Sequence, residues 1–151
     1  MTPAVAAAKR ARIEFRLHEY SEAVYGEPDY AAAVARELGF DASRVFKTLV
    51  ASVDGSLRVF VVPADRQLDL HAAGKRAQMA DRTQAERATG YAAGGISPLG
   101  QRMRLPLTLD DSALAFETIL VSAGKRGVQI ELDPRDLVRL TNAETRTVSR
   151  T

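Results

Sequence analysis

The chain has 151 residues, enough for one domain with its own core, and an ordinary soluble balance of 46% hydrophobic and 26% charged residues. It has no cysteine and two histidines far apart, His18 and His71, so thiol nucleophiles, disulfides and thiolate metal sites are excluded. A His-based metal site or a Ser/His/Asp triad has little material to work with, and a net charge of +2 is too mild to establish nucleic-acid binding, although a pI near 9.1 leaves room for a basic patch.

The stretch from Met1 to Arg10 lacks the basic-then-apolar order of a signal peptide, and no apolar run approaches a membrane span. The expectation is a cytoplasmic protein without a membrane segment. Thr2-Pro3 reads as the cap and first position of a helix to about Ala11. Ile13 to His18 alternates apolar and polar, the pattern of a half-buried strand ending near Tyr20. Ser21 to Pro28 reads as loop. Asp29 is placed to cap a helix from Tyr30 to Leu38, stopped by Gly39. Phe46 to Val53 is a strand, Asp54-Gly55 a hairpin signal, and Leu57 to Val62 the return strand.

Asp69 is placed to cap a short helix through Arg76. Asp81 with Gln84 three residues on has the form of a capping box, opening a helix to about Ala88. Leu105 to Leu109 reads as a strand, Ser112 to Phe116 as a helical turn, and Thr118 to Val121 as a buried strand. Ala123 to Gly127 is a turn, Val128 to Leu132 a paired strand, and Asp133-Pro134 the start of a last helix to about Leu140. The residues from Asn142 onward are expected to fray. Strands joined by hairpins among helices argue for α+β with a mixed, mostly antiparallel sheet, and for one domain over residues 1–151. The usual nucleotide fingerprints, G-x-G-x-x-G after a strand and G-x-x-x-x-G-K-[ST], are missing.

Between the helix ending near Ala88 and the strand at Leu105 lies Gly90-Tyr91-Ala92-Ala93-Gly94-Gly95-Ile96-Ser97-Pro98-Leu99-Gly100-Gln101, with four glycines and a proline in twelve residues. Such a run is neither helix interior nor a good strand. It is either a long surface connection or a loop that offers free N–H groups to a carbonyl, an oxyanion or a phosphate. Tyr91 and Ile96 inside it, with Ser97-Pro98, suggest a loop folded onto the domain.

Lys47 stands out among the basic residues, because the chain uses 17 arginines against 4 lysines. A period of two puts it on the strand face of Leu49, Ala51 and Val53, opposite Phe46, Thr48, Val50 and Ser52. An ammonium there either escapes to water at the strand start or meets an anion. Gly124-Lys125-Arg126-Gly127 reads as a turn with solvated charges or as a phosphate contact, with Ser122 at the strand end before it. Tyr20 and Tyr30 are core aromatics unless they stack on a base or ribose. His18 reads as a strand residue, His71 as helix surface, and Asp110-Asp111 as turn plus cap.

Taken together, these stretches resemble the YbaK/EbsC family of aminoacyl-tRNA editing proteins, specifically its YbaK branch. The matching segments are Met1 to Val5, Phe46-Lys47-Thr48-Leu49, Gln67 to Leu70, Met79-Ala80-Asp81, Thr89-Gly90-Tyr91, Gly94 to Gln101, Leu105-Pro106, Phe116 to Ile119 and Val121 to Gly127, in order along nearly the whole chain. The resemblance implies a compact α+β domain with a barrel-like sheet and peripheral helices, related to the editing domain of bacterial prolyl-tRNA synthetases. It also implies deacylation of cysteinyl-tRNA(Pro) and cysteinyl-tRNA(Cys) without a metal or other cofactor, beside prolyl-tRNA synthetase as partner. In that picture the substrate's own thiol attacks its ester, which agrees with the lack of an enzyme nucleophile here.

On this reading Lys47 holds phosphate or ribose oxygens at the tRNA 3′ end, and the N–H groups of Gly94, Gly95 and Ile96 polarise the carbonyl. Ser97 and Ser122 orient the amino acid, and Tyr20 and Tyr30 line the adenosine side. Thr48, Pro98, Gly124 and Arg126 complete the substrate-binding set. Two features depart from the family pattern. Ala123 stands where glycine is usual, and Glu27-Pro28-Asp29-Tyr30 replaces a common Phe-Gly-Asp, with Tyr30 taking the aromatic position. The competing readings are a sister specificity, such as alanyl-tRNA(Pro), and a non-catalytic tRNA- or synthetase-binding module.

Overall fold

Thr2 accepts the Val5 N–H at 3.2 Å and Pro3 presets the first turn, so helix α1 runs Pro3–Ala11 in the computed structural model, which describes residues 1–151. Strand β1 (Phe15–Glu19) follows, then a 3₁₀ turn at Glu22–Gly26 inside the segment expected to be loop, and α2 (Tyr30–Leu38) closed by a left-handed Gly39. Asp29 occupies the cap position of α2 but its carboxylate makes no capping hydrogen bond, contrary to the sequence expectation. The hairpin β2 (Phe46–Val53) and β3 (Ser56–Pro63) turns on Asp54 and Gly55, both at positive φ, the two-residue geometry that suits twisted strands.

Short pieces come next: β4 (Gln67–Leu68), α3 (Leu70–Ala73) and β5 (Gln78–Met79). Helix α4 (Arg82–Thr89) opens with the full capping box, Asp81 taking the Gln84 N–H at 2.7 Å and Gln84 taking the Asp81 N–H at 3.2 Å. Beyond the glycine-rich loop stand β6 (Leu107–Asp110), β7 (Ile119–Ser122), β8 (Val128–Leu132), α5 (Pro134–Thr141), β9 (Glu144–Arg146) and β10 (Ser149–Arg150).

The strands form three ladders: β5-β2-β3-β6-β9, β1-β8-β7, and the small pair β10-β4. Pairing is antiparallel except at β3–β6 and β6–β9, so the sheet is mixed as expected. It does not close into a barrel; the two larger sheets are bridged by one isolated parallel pairing, Val45 with Leu120. Phe46, Val50, Val59, Val61 and Leu109 on one face of the large sheet meet Ile119, Val121, Ile130 and Leu132 of the three-stranded sheet, with Ala4, Val5 and Ala8 of α1 and Leu137 of α5 completing the core. The reverse face of the large sheet buries Ala51, Phe60, Val62, Leu68 and Val148. This double coverage is why β3 reads Val59-Phe60-Val61-Val62 without a polar break.

The C-terminus corrects the expectation of fraying. Asp110, 1% exposed, accepts the N–H groups of Val148 and Ser149 at 2.9 Å each, and β9 adds to β6. A buried carboxylate needs such donors, and the last residues supply them. The acid side of Asp110 was read only as a turn cap, a role it also fills toward Ser112.

Candidate functional site

The open end of β2 positions the site. Strand β5 covers β2 only at Ala51 and Ser52, and β7 pairs at the start of β2 only through the Val45–Leu120 bridge, so Lys47 and Thr48 lie on a stretch of edge that no strand pairs. Helix α2 packs beside that edge through Ala31 and Ala35 against Val45, Ala64 and Leu120. What remains between α2, the start of β2, the glycine-rich loop and the β7–β8 ends is a small cleft of about 50 Å³, lined by Tyr30, Ala31, Val34, Val45, Phe46, Lys47, Thr48, Gly94, Ile96, Ser122 and Gln129.

Lys47 is half-buried in this cleft and forms neither a salt bridge nor a hydrogen bond. Desolvation lowers its pKa from the ordinary lysine value, and the charges of Asp29 and Asp65 partly oppose that shift. An unpaired cation in a tight apolar-walled cleft is set to receive an anionic or strongly polar oxygen.

The glycine-rich loop is held by its own side chains and its neighbours. Tyr91, buried, donates its O–H to Leu99 O at 2.6 Å, and burial pushes its phenol up to about 12. Glu86 accepts the Ala93 N–H at 2.7 Å, Ser97 Oγ accepts the Leu99 N–H at 3.2 Å, and Gln101 donates to Ser97 O at 2.9 Å. Gly95 N–H donates to Ala92 O at 2.9 Å. The N–H groups of Gly94 and Ile96 have no partner within the chain, and both residues line the cleft with Lys47.

Glycine is required at both Gly94 and Gly95. Gly94 has φ +87, and a Cβ there would lie 2.3 Å from the Tyr25 ring. A Cβ on Gly95 would lie 2.7 Å from Lys125 Cα in the β7–β8 turn. That turn also fastens the loop: Arg126 donates Nε to Ala93 O at 2.9 Å while its guanidinium lies 3.5 Å from the Tyr25 ring centre, and Tyr25 meets Tyr30 edge-on at 5.2 Å.

Of the residues singled out from sequence, the fold therefore gathers Lys47, Thr48, Gly94, Ile96, Tyr30 and Ser122 around one cavity. Gly95, Gly124 and Arg126 stand behind it. Ser97 is fully buried and engaged within its own loop, Pro98 lines a different, outer groove beside Arg10 and Arg104, and Tyr20 is outside the cleft lining. Two residues were missed. Tyr25 looked like loop filler, and its role depends on Arg126, a hundred positions away. Gln129 takes a polar position in the regular alternation of β8, Val-Gln-Ile-Glu-Leu, so the pattern made it look like a solvent-facing residue and gave no signal of its burial. No group of three or more His, Cys, Asp or Glu side chains is arranged to hold a metal, and no helix is long and apolar enough to cross a membrane. A larger open groove of about 900 Å³ is walled by Arg12, Glu14, Arg16, Glu117, Asp133 and Arg135 among others; it mixes charges of both signs with few apolar residues, and it shares no lining residue with the cleft above.

The model of the aminoacyl-tRNA editing domain matches residues 28–140, a span that contains all of the cleft. The chain is 40% identical to "Putative Cys-tRNA(Pro)/Cys-tRNA(Cys) deacylase EbsC" of Enterococcus faecalis, covering 76% of this chain and 73% of that protein. It is 34% identical to a stretch of the proline–tRNA ligase of Shouchella clausii that spans 62% of this chain and 17% of the ligase. A crystal structure described as "a putative trans-editing enzyme for prolyl tRNA synthetase" superposes with a TM-score of 0.83 at 22% identity, over 100% of this chain and 99% of that one, which is a likeness of fold.

Proposed function

Because the chain belongs to the aminoacyl-tRNA editing domain family and is therefore an aminoacyl-tRNA deacylase, we propose that it removes cysteine from mischarged tRNA(Pro), and from tRNA(Cys), acting in trans beside prolyl-tRNA synthetase. The observation that carries this reading is that Lys47, whose ammonium is unpaired, and Gly94 and Ile96, whose N–H groups are unpaired, line one small cleft. A tethered ester needs that combination: a cation for the oxygens of the terminal nucleotide, and fixed amide donors for the oxygen on which charge develops. Gly95 braces the loop in this scheme, since its own N–H is already engaged.

Cysteine and proline are near in size, and an apolar pocket separates near-isosteres only weakly, so a second sieve is the physical remedy. The cleft's walls of Ala31, Val34, Val45, Phe46 and Ile96 suit a small side chain, and besides the Lys47 amine the cleft offers only the hydroxyls of Tyr30, Thr48 and Ser122. The substrate's thiol supplies the nucleophile. Its sulfur bonds to the ester carbonyl carbon, the bond from that carbon to the ribose 3′ oxygen breaks, and the thiol proton passes to that oxygen. The products are free tRNA and a cyclic thioester of cysteine, which water then opens. Tyr30 lies at the adenosine side, and Ser122 beside the amino acid.

The test is deacylation of a panel of charged tRNAs by the purified protein. Cysteinyl-tRNA(Pro) should be cleared fastest, and seryl-tRNA(Pro), which differs by one oxygen for sulfur, at least a hundredfold more slowly. Equal clearance of cysteinyl and seryl esters would remove the thiol's role. Preferential clearance of alanyl-tRNA(Pro) would replace the substrate. Tight tRNA binding without release of any amino acid would leave a binding module. With a net charge of +2, affinity for tRNA alone should be modest and strengthened by the synthetase.

A further inference from the structure

Two buried side-chain atoms in the whole chain lack a hydrogen-bond partner, Thr48 Oγ1 and Gln129 Oε1. Both belong to residues that line the cleft of Lys47. A buried amide oxygen without a donor lowers stability, and folded proteins rarely keep one without a use for it. Gln129 is 6% exposed and lies between Ser122 of β7 and His18 of β1 in the ladder, so it has little freedom to turn toward water. Neither neighbour bonds to it: Ser122 Oγ accepts from the Gly124 N–H at 3.1 Å and does not reach the Gln129 oxygen, and His18 is joined to Glu131 at 2.7 Å. No carboxylate lines the cleft to receive a donor from a ligand.

Resting on the deacylase reading, we propose that Gln129 Oε1, with Thr48 Oγ1 of the same cleft, is the acceptor for the free α-amino group of the aminoacyl ester, and that the site thereby selects aminoacyl over N-acylated or peptidyl esters. The amino group is the strong donor that every such ester carries next to its carbonyl carbon, whereas a thiol donates weakly. Lys47 and the Gly94 and Ile96 amides are donors and face oxygens, so the amino group needs the one kind of partner they cannot be. An acyl group on the nitrogen removes donors and adds bulk inside a cleft of about 50 Å³. A site built to hydrogen-bond a substrate group rejects the analogue lacking it, because its own polar atom is then left unpaired.

The probe is a non-hydrolysable amide analogue, 3′-cysteinylamino-3′-deoxyadenosine, compared by calorimetry with its N-acetyl form. The wild type should bind the free amine at least tenfold more tightly than the acetylated form. In Gln129→Leu that preference should vanish through loss of affinity for the free amine, while the melting temperature rises, since an unpartnered buried amide has been replaced by an apolar group of similar size. Gln129→Glu, which keeps an acceptor, should retain the preference. If Gln129→Leu does not fold, Gln129→Met carries the same comparison. An unchanged preference in the apolar variant, or no preference in the wild type, overturns the proposal. Release of cysteine from cysteinyl-tRNA by the wild type, measured alongside, reports separately on the deacylase reading.

Discussion

Gln129 and Glu131 sit two residues apart on the same face of β8, and their surroundings are opposites. Glu131 is saturated: His18 at 2.7 Å, Arg44 at 3.0 Å and the Thr118 hydroxyl at 2.6 Å all reach its carboxylate. Arg44 Nε also donates to Thr118 O at 2.9 Å, and Phe40 packs edge-on against His18 and beneath the Arg44 guanidinium. Gln129 has no partner, and neither does Lys47 across the cleft. The contrast separates two uses of buried polarity. A finished network holds elements together, here β1, β8 and the segment before β2. Unfinished groups collected in one cavity are vacant valences for a ligand.

The largest effect that could break this comparison is Lys47→Ala. Turnover of cysteinyl-tRNA should fall by at least a hundredfold with the fold intact, since the ammonium has no partner to lose; melting and deacylation measured together decide it. Full turnover in that variant would remove Lys47 from the chemistry.

Glu131→Ala should do the reverse. It leaves His18, Arg44 and Thr118 without their acceptor, for a destabilisation of about 1–3 kcal/mol, while the folded fraction keeps its turnover. Acid should reproduce part of that loss. Burial tends to raise the Glu131 pKa, but the Thr118 and His18 hydrogen bonds and the Arg44 charge outweigh it and hold it below the ordinary glutamate value. Its contribution is therefore complete above about pH 4.3 and is lost as pH falls through the lowered value of the folded state. Glu131→Gln should flatten that acid limb in melts taken across pH.

Tyr25→Leu tests the latch on the glycine-rich loop. Loss of the Arg126 contact, worth about 0.5–2 kcal/mol, should cut turnover by a few-fold to tenfold and lower the melting temperature by a few degrees. The smallest effect is expected of Asp29→Asn. Its charge now helps keep Lys47 protonated, so its removal should move the alkaline loss of activity to slightly lower pH, visible in a pH–rate profile and nowhere else.

Local chemistry made most elements legible. The Thr2-Pro3 start, the Asp54-Gly55 turn, the Asp81–Gln84 box and the Asp133-Pro134 start each carry their own capping or turn residues, and the structure has all four. Asp29 failed as a cap because residue type allows a capping bond without requiring the side-chain geometry. The tail from Asn142 was misread for a different reason. β4, β9 and β10 are two or three residues long and have no internal periodicity; they exist because distant partners, the Asp110 carboxylate among them, hold them.

The residues alone determined the α+β class, the extended two-sided core strands, the glycine-rich loop and the oddity of a lysine at the head of β2, because all of these rest on spacing and turn chemistry within a few positions. Only the tertiary structure decided that the sheets stay open, that Gly95 spends its N–H within its own loop while Gly94 and Ile96 do not, and that Gln129 faces Lys47's cleft without a partner. Whether a polar group is satisfied depends on what the rest of the chain brings to within about 3 Å of it, and that distance is set by packing between segments far apart in sequence.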